Sequence, residues 1–198
     1  MADAPPAPPL LLASRSAQRR AILEQLGIPF DAVAPKYHEE PVQGVDAVEL
    51  VRMHALEKAR SVAAEADDRP VLGVDTEVVL DGRIYGKPKD ATDAEVMLEE
   101  LGGKTHLVIS GLSLLTPAWE AVEHESTRVT FRELTPRDLA AYIATGEWEG
   151  RAGAYAIQGR GAALVRGVDG DYLNVVGLPA SLLVRLLASR FAGVYGFG

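Results

Sequence analysis

The stretch 71–88, Val-Leu-Gly-Val-Asp-Thr-Glu-Val-Val-Leu-Asp-Gly-Arg-Ile-Tyr-Gly-Lys-Pro, constrains the fold more than any other part of the chain. It opens as an aliphatic strand, turns at Asp81-Gly82, a type I′ hairpin signal, and returns until Pro88 stops the pairing. Acidic residues are depleted in strands, yet Asp75 and Glu77 sit among Val74, Val78, Val79 and Leu80. Strand side chains alternate, so the two carboxylates share a face, about 6–7 Å apart. So placed they repel each other and lose solvation. A divalent cation, or a proton to be taken from water, relieves both costs. The alternative is an edge strand with one wet face.

The 198 residues suffice for one large domain or two lobes. A net charge of −8 argues against a broad basic surface for duplex nucleic acid, but leaves room for a local anion pocket. The absence of Cys excludes disulfides, thiolate zinc sites and cysteine nucleophiles. No signal-peptide pattern and no apolar run of about 18 residues is present, so a soluble cytoplasmic protein off the membrane is expected.

Along the chain, residues 1–9 are Ala/Pro-rich and read as a flexible tail ahead of a domain over 10–198. A buried strand is expected over 10–13 and a helix over 17–26, with Ser16 as N-cap and Gly27 at its end. Arg19 and Arg20 fall in the first turn of that helix, where the macrodipole disfavours cations, and Arg15 adds a third charge. An oxyanion docked at the helix N-terminus accounts for them; pairing with surface carboxylates is the alternative. Neither GxxxxGK[ST] nor GxGxxG is present.

A strand over 30–33 leads to a loop holding His38, Glu39 and Glu40. A helix then runs from the cap Asp46 to about residue 66. Lys58 lies on its apolar stripe with Val51, Ala55 and Val62; most such lysines snorkel outward, and a minority enter a cleft. Thr92-Asp93-Ala94-Glu95 reads as a capping box opening a helix to 101. Strands follow over 104–116, where His106 reads as a satisfied polar residue, and over 121–131. Thr135-Pro136 starts a helix to about 145. Gly150, Gly153, Gly159 and Gly161 surround Ala-Tyr-Ala-Ile-Gln, a density that permits close backbone approach to a ligand. Strands over 162–168 and 172–176 and a helix over 179–190 complete the chain. Hairpins mixed with crossovers predict an α/β fold, a mixed β-sheet flanked by helices.

Six segments stand in a particular order: Leu-Leu-Ala-Ser-Arg-Ser-Ala-Gln-Arg-Arg (11–20), Val-Asp-Thr (74–76), Gly-Lys-Pro (86–88), Gly-Lys-Thr-His (103–106), Arg-Ala-Gly-Ala-Tyr-Ala-Ile-Gln-Gly (151–159) and Tyr-Leu-Asn-Val-Val-Gly-Leu-Pro (172–179). In that order they resemble the Maf family of nucleoside triphosphate pyrophosphatases, over nearly the whole chain after the tail. The resemblance implies hydrolysis of a nucleoside triphosphate to a monophosphate and pyrophosphate with a divalent metal, Mg²⁺ or Mn²⁺. It implies two lobes around a central cleft, similar to the inosine-triphosphatase fold, and in many members a homodimer. It places Asp75 as the catalytic carboxylate. Ser14, Ser16, Arg19, Lys58 and Lys87 fall around the phosphates, with Glu40, Asp75 and Glu77 at the metal. Thr76 and Gln158 match the subgroup preferring dTTP and UTP; Gln18 stands where that subgroup has Arg, and Ala17 where the family has Pro. The subgroup preferring 7-methyl-GTP carries Trp, Gln and Glu at the positions of Gln18, Thr76 and Gln158, and this chain has none of them. A pyrophosphatase for modified nucleotides and a non-catalytic, nucleotide-binding regulator of cell division are the other readings.

Overall fold

The computed structural model describes residues 7–39 and 45–197; Glu40, one of the expected metal ligands, lies outside them. Among the described residues seven strands form one mixed sheet: β1 (Leu10–Ala13), β2 (Phe30–Val33), β3 (Val71–Leu80), β4 (Arg83–Tyr85), β5 (Thr105–Leu115), β6 (Glu120–Phe131) and β7 (Val165–Asp169). Their order is β2-β1-β3-β5-β6-β7, with β4 beside β3. The β1 pairings with β2 and β3 are parallel and the rest antiparallel. Helices α1 (Ala17–Gln25), α2 (Ala47–Arg60), α3 (Ala91–Leu101), α4 (Pro136–Ile143), α5 (Tyr172–Val176) and α6 (Ala180–Phe191) flank it. No described helix is long and apolar enough to cross a membrane.

One feature of the sheet positions everything else. Strand β3 pairs with β5 over its length, but its other edge is shared. There β1 pairs only at Val71 and Leu72, and β4 only at Val78–Leu80. Between them, residues 73–77 of that edge have no strand alongside. The sheet forks at Asp75, Thr76 and Glu77. Opening a sheet where neighbouring strands diverge is the usual way an α/β fold makes a ligand crevice.

The alternation of β3 divides its residues between two faces. On one face the core splits into two clusters: Val74 packs with Leu72, Leu112 and Leu178, whereas Val78 packs with Val108, Leu98 and Phe131. These are the two lobes, and Thr76 lies between them. On the other face α2 packs against Gly73 and Gly111. A Cβ at Gly73 would lie 2.0 Å from the Ala55 carbonyl oxygen, and one at Gly111 2.1 Å from that of Val51. The two glycines let the helix backbone rest directly on the sheet.

Four expectations are corrected. Residues 172–176 are helix, not strand: the Asp171 carboxylate accepts from Leu173 N and Asn174 N, and that cap outweighs the β-propensity of Tyr172, Val175 and Val176. The span 162–168 opens inside a 3₁₀ turn, Gly159–Leu164, and pairs with β6 only from Val165. Helix α2 stops at Arg60, and a separate 3₁₀ turn covers Ala63–Glu65. Helix α3 is capped by Asp90, whose carboxylate accepts from Asp93 N at 2.9 Å, so Thr92 is inside the helix.

His106 is a core residue. Nε2 shares a 2.9 Å hydrogen bond with the Tyr155 hydroxyl, and the ring stands edge-on to Phe131 and Tyr155. Burial pushes its pKa down from 6.5 to about 4. An unfolded chain binds this proton near pH 6.5 and the folded chain only near pH 4, so stability is lost as pH falls through that window. The expected loss between pH 7 and 4.5 is about 2.5 kcal/mol. Urea unfolding at both pH values checks it: His106→Gln should shed that much less than wild type, and equal losses contradict the assignment.

Candidate active site

Strand β1 ends at the fork, and its continuation supplies one wall. Ser14 Oγ accepts from Ser16 N at 3.1 Å and from Arg19 Nη1 at 3.2 Å. Ser16 caps α1 as expected, accepting from Arg19 N and donating to Gln18 Oε1. Arg19 spans the fork: Nε donates to Gly177 O at 2.8 Å and Nη2 to Thr76 Oγ1 at 3.3 Å. Thr76 shares a second bond with the buried Ser110 at 2.8 Å. Three of the five N–H groups of Arg19 are thereby spent on the protein, and two are left for an anion. Burial lowers the Arg19 pKa, and Asp75 and Glu39 oppose the shift.

On the α2 side, Lys58 does enter the cleft. Its ammonium lies 2.6 Å from Asp75 Oδ1 and 2.6 Å from Glu39 Oε1. Both Lys58 and Asp75 are buried, at 7% and 4% exposure, so removing either partner would leave an uncompensated buried charge. The second Asp75 oxygen, Oδ2, is buried without a hydrogen-bond partner, and so is Glu77 Oε2. Burial, then Asp75 and Glu39, push the Glu77 carboxyl up to about 7, while Lys87 and Lys58 pull the other way. Burial opposes the charged form of Glu39, but Lys58, Lys87 and His54 outweigh it and its pKa falls.

These groups line one cleft of about 1030 Å³, ample for a nucleotide. Ser14, Ser16, Gln18, Arg19, Lys58, Asp75, Thr76, Glu77, Lys87 and Gln158 all border it. Arg15 lines it as well, whereas Arg20 is exposed outside the lining. The residue that sequence reasoning passed over is Glu39. Its inward turn is set by Lys58, on another element, and by the Tyr37 hydroxyl, which bonds His54 Nδ1 at 2.9 Å and ties the loop to α2.

A resident metal is implied by the family resemblance. Among the described residues no group of three or more His, Asp or Glu is gathered to hold one. Two carboxylates with orphaned buried oxygens on one strand face nevertheless fit a hard cation that takes its remaining ligands from phosphate and water, as Mg²⁺ commonly does.

The Maf-like protein family profile matches residues 9–190. This chain belongs to the Maf family. Three of its relatives are each named dTTP/UTP pyrophosphatase. That of Moorella thermoacetica is 47% identical over 94% of this chain and 97% of its own. That of Symbiobacterium thermophilum is 46% identical over 90% and 92%, and that of Deinococcus radiodurans 42% over 97% of each. A solved structure, that of the Staphylococcus aureus Ham1 protein, is a loose likeness: TM-score 0.45 and 17% identity over 63% of this chain and 72% of that one. The segments that carry the Maf resemblance supply Ser14, Ser16, Arg19, Asp75, Thr76, Lys87 and Gln158 to the lining of the forked cleft.

Proposed function

We propose that this chain hydrolyses a nucleoside triphosphate, with dTTP and UTP preferred, to the monophosphate and pyrophosphate. The observation that carries the proposal is Asp75 Oδ2, an orphaned acceptor at the fork of the sheet with Lys58 fixed on the other oxygen of the same carboxylate. The name shared by the relatives supports the substrate class.

Asp75 is the base. Lys58 anchors Oδ1, so Oδ2 is held in one direction and accepts the proton of the attacking water. The water oxygen bonds to the α-phosphorus, the bond from that phosphorus to the bridging oxygen breaks, and pyrophosphate leaves. Arg19, Lys87 and Ser14 draw the phosphates to the α1 end of the cleft, where charge must be neutralised before an anionic phosphorus can be attacked. Glu77, with its own buried and unpartnered Oε2, would hold a divalent ion beside the base. Such an ion supplies neutralisation of the phosphate charge and polarisation of the attacked phosphorus.

Gln18 Oε1 accepts from the Ser16 hydroxyl, which leaves its NH₂ for substrate. An amide there lacks the charge and fork of the arginine in the dTTP/UTP subgroup. Preference for a pyrimidine is therefore retained through Thr76 and Gln158 and is less sharp. The test is product analysis: UTP with Mg²⁺ or Mn²⁺ should yield UMP and pyrophosphate one for one, and chelation should stop it. UDP and orthophosphate as products would overturn the proposal.

A further inference from the structure

Gln158 is exposed in the cleft, and its amide has no hydrogen-bond partner among the described residues. It stands at the start of the 3₁₀ turn Gly159–Leu164 and makes no cap to it. The cap comes from elsewhere. Glu147 Oε1 accepts from Arg160 N at 3.1 Å, and Oε2 from Gly161 N at 3.1 Å. On the other side of Gln158, Ala156 N donates to the Tyr142 hydroxyl at 3.0 Å. Both anchors belong to α4 and the turn that follows it. That turn is itself tied, with Glu147 N donating to Thr145 Oγ1 and Thr145 Oγ1 donating to Tyr142 O. Gln158 is therefore suspended between two clamps, each within three residues.

The fit around this loop is tight. Gly159 has φ +67°, and a Cβ there would stand 2.7 Å from Glu147 Oε1. A Cβ at Gly161 would stand 1.8 Å from the Ala156 carbonyl oxygen. Glu147 lines the cleft with both oxygens taken up by backbone donors of the turn.

We propose that Glu147 is a positioning residue for base selection: by capping the turn after Gln158 it fixes the Gln158 amide in the direction that reads the base. This rests on Gln158 being a base-reading residue of the pyrophosphatase proposed above. Glu147→Gln is the variant of choice, because it keeps the volume and one acceptor but turns an NH₂ toward a backbone N–H. The readouts are kcat and KM for UTP and GTP, together with Tm, for Glu147→Gln, Gln158→Ala and the double variant. Glu147→Gln should lower the UTP-over-GTP ratio of kcat/KM roughly five- to tenfold, as expected for one lost neutral hydrogen bond, with the loss lying in KM for UTP rather than in kcat. The double variant should match Gln158→Ala within about twofold, since Glu147 acts through Gln158. A lower Tm with an unchanged ratio in Glu147→Gln, or losses that multiply in the double variant, overturns the inference while leaving the reading of Gln158 in place. An unchanged ratio in Gln158→Ala overturns the reading of Gln158 and this inference with it.

Discussion

Asp75→Asn should fold, bind nucleotide and lose turnover by at least about a hundredfold, and by as much as about ten-thousandfold, the range a positioned base contributes. The amide keeps an oxygen for the Lys58 ammonium, which now sits 2.6 Å from Asp75 Oδ1, and Lys58 retains Glu39 as a charged partner. The pairing that holds the site together therefore survives. What changes is the other atom: an orphaned acceptor, Oδ2, becomes an NH₂ that cannot take a proton from water. The check is kcat from pyrophosphate release, beside nucleotide affinity by calorimetry. Near-wild-type kcat would remove Asp75 as the base and leave Glu77, on the same strand face, as the next carboxylate to test.

Gly73→Ala and Gly111→Ala should be strongly destabilising, each on the order of 4 kcal/mol or more, at the exceptional end for single changes. Neither glycine is needed for an unusual backbone angle. Each is needed because α2 lies on the sheet there: the added methyl would meet the Ala55 carbonyl oxygen at 2.0 Å or the Val51 carbonyl oxygen at 2.1 Å. Backbone atoms cannot swing aside as a side-chain tip can, so the helix must lift. Asp75 is paired with Gly111 across the sheet, and Lys58 reaches Asp75 only because the helix is close. Protein that still folds should therefore also lose turnover. Urea unfolding measures the first effect, and a change below about 1 kcal/mol would show that α2 does not rest on these two residues.

Features with a local cause were legible in the sequence. The β3–β4 turn is the type I′ signal, with Asp81 and Gly82 both at positive φ, 51° and 80°. Ser16 and Thr135 cap their helices because each has a hydroxyl ahead of an open first turn. Lys58 was placed on the inner stripe of α2 by spacing alone, and the apolar surroundings of Asp75 and Glu77 marked the cleft. Features with a distant cause were not legible. Tyr172–Val176 has strand composition, and only the Asp171 cap and the turn at Gly177 make it helical. Glu39 is selected by partners on another element, and the work of Gly73, Gly111 and Glu147 appears only once α2 and the 158–161 loop are laid against their neighbours. The fork itself depends on where β1 stops and β4 begins along one edge of β3, a register that no single stretch encodes.

The most direct test of the central claim is kcat/KM for UTP, dTTP, CTP, ATP, GTP and 7-methyl-GTP, followed by pyrophosphate release with the matching monophosphate. Thr76 and Gln158 with Gln18 in place of arginine predict that UTP and dTTP lead, that CTP is measurably accepted, and that the margin is one to two decades narrower than a charged third contact would give, or about 1.5–3 kcal/mol. A purine triphosphate or 7-methyl-GTP leading by more than tenfold would contradict the pyrimidine preference, and no pyrophosphate from any of the six would contradict the pyrophosphatase itself.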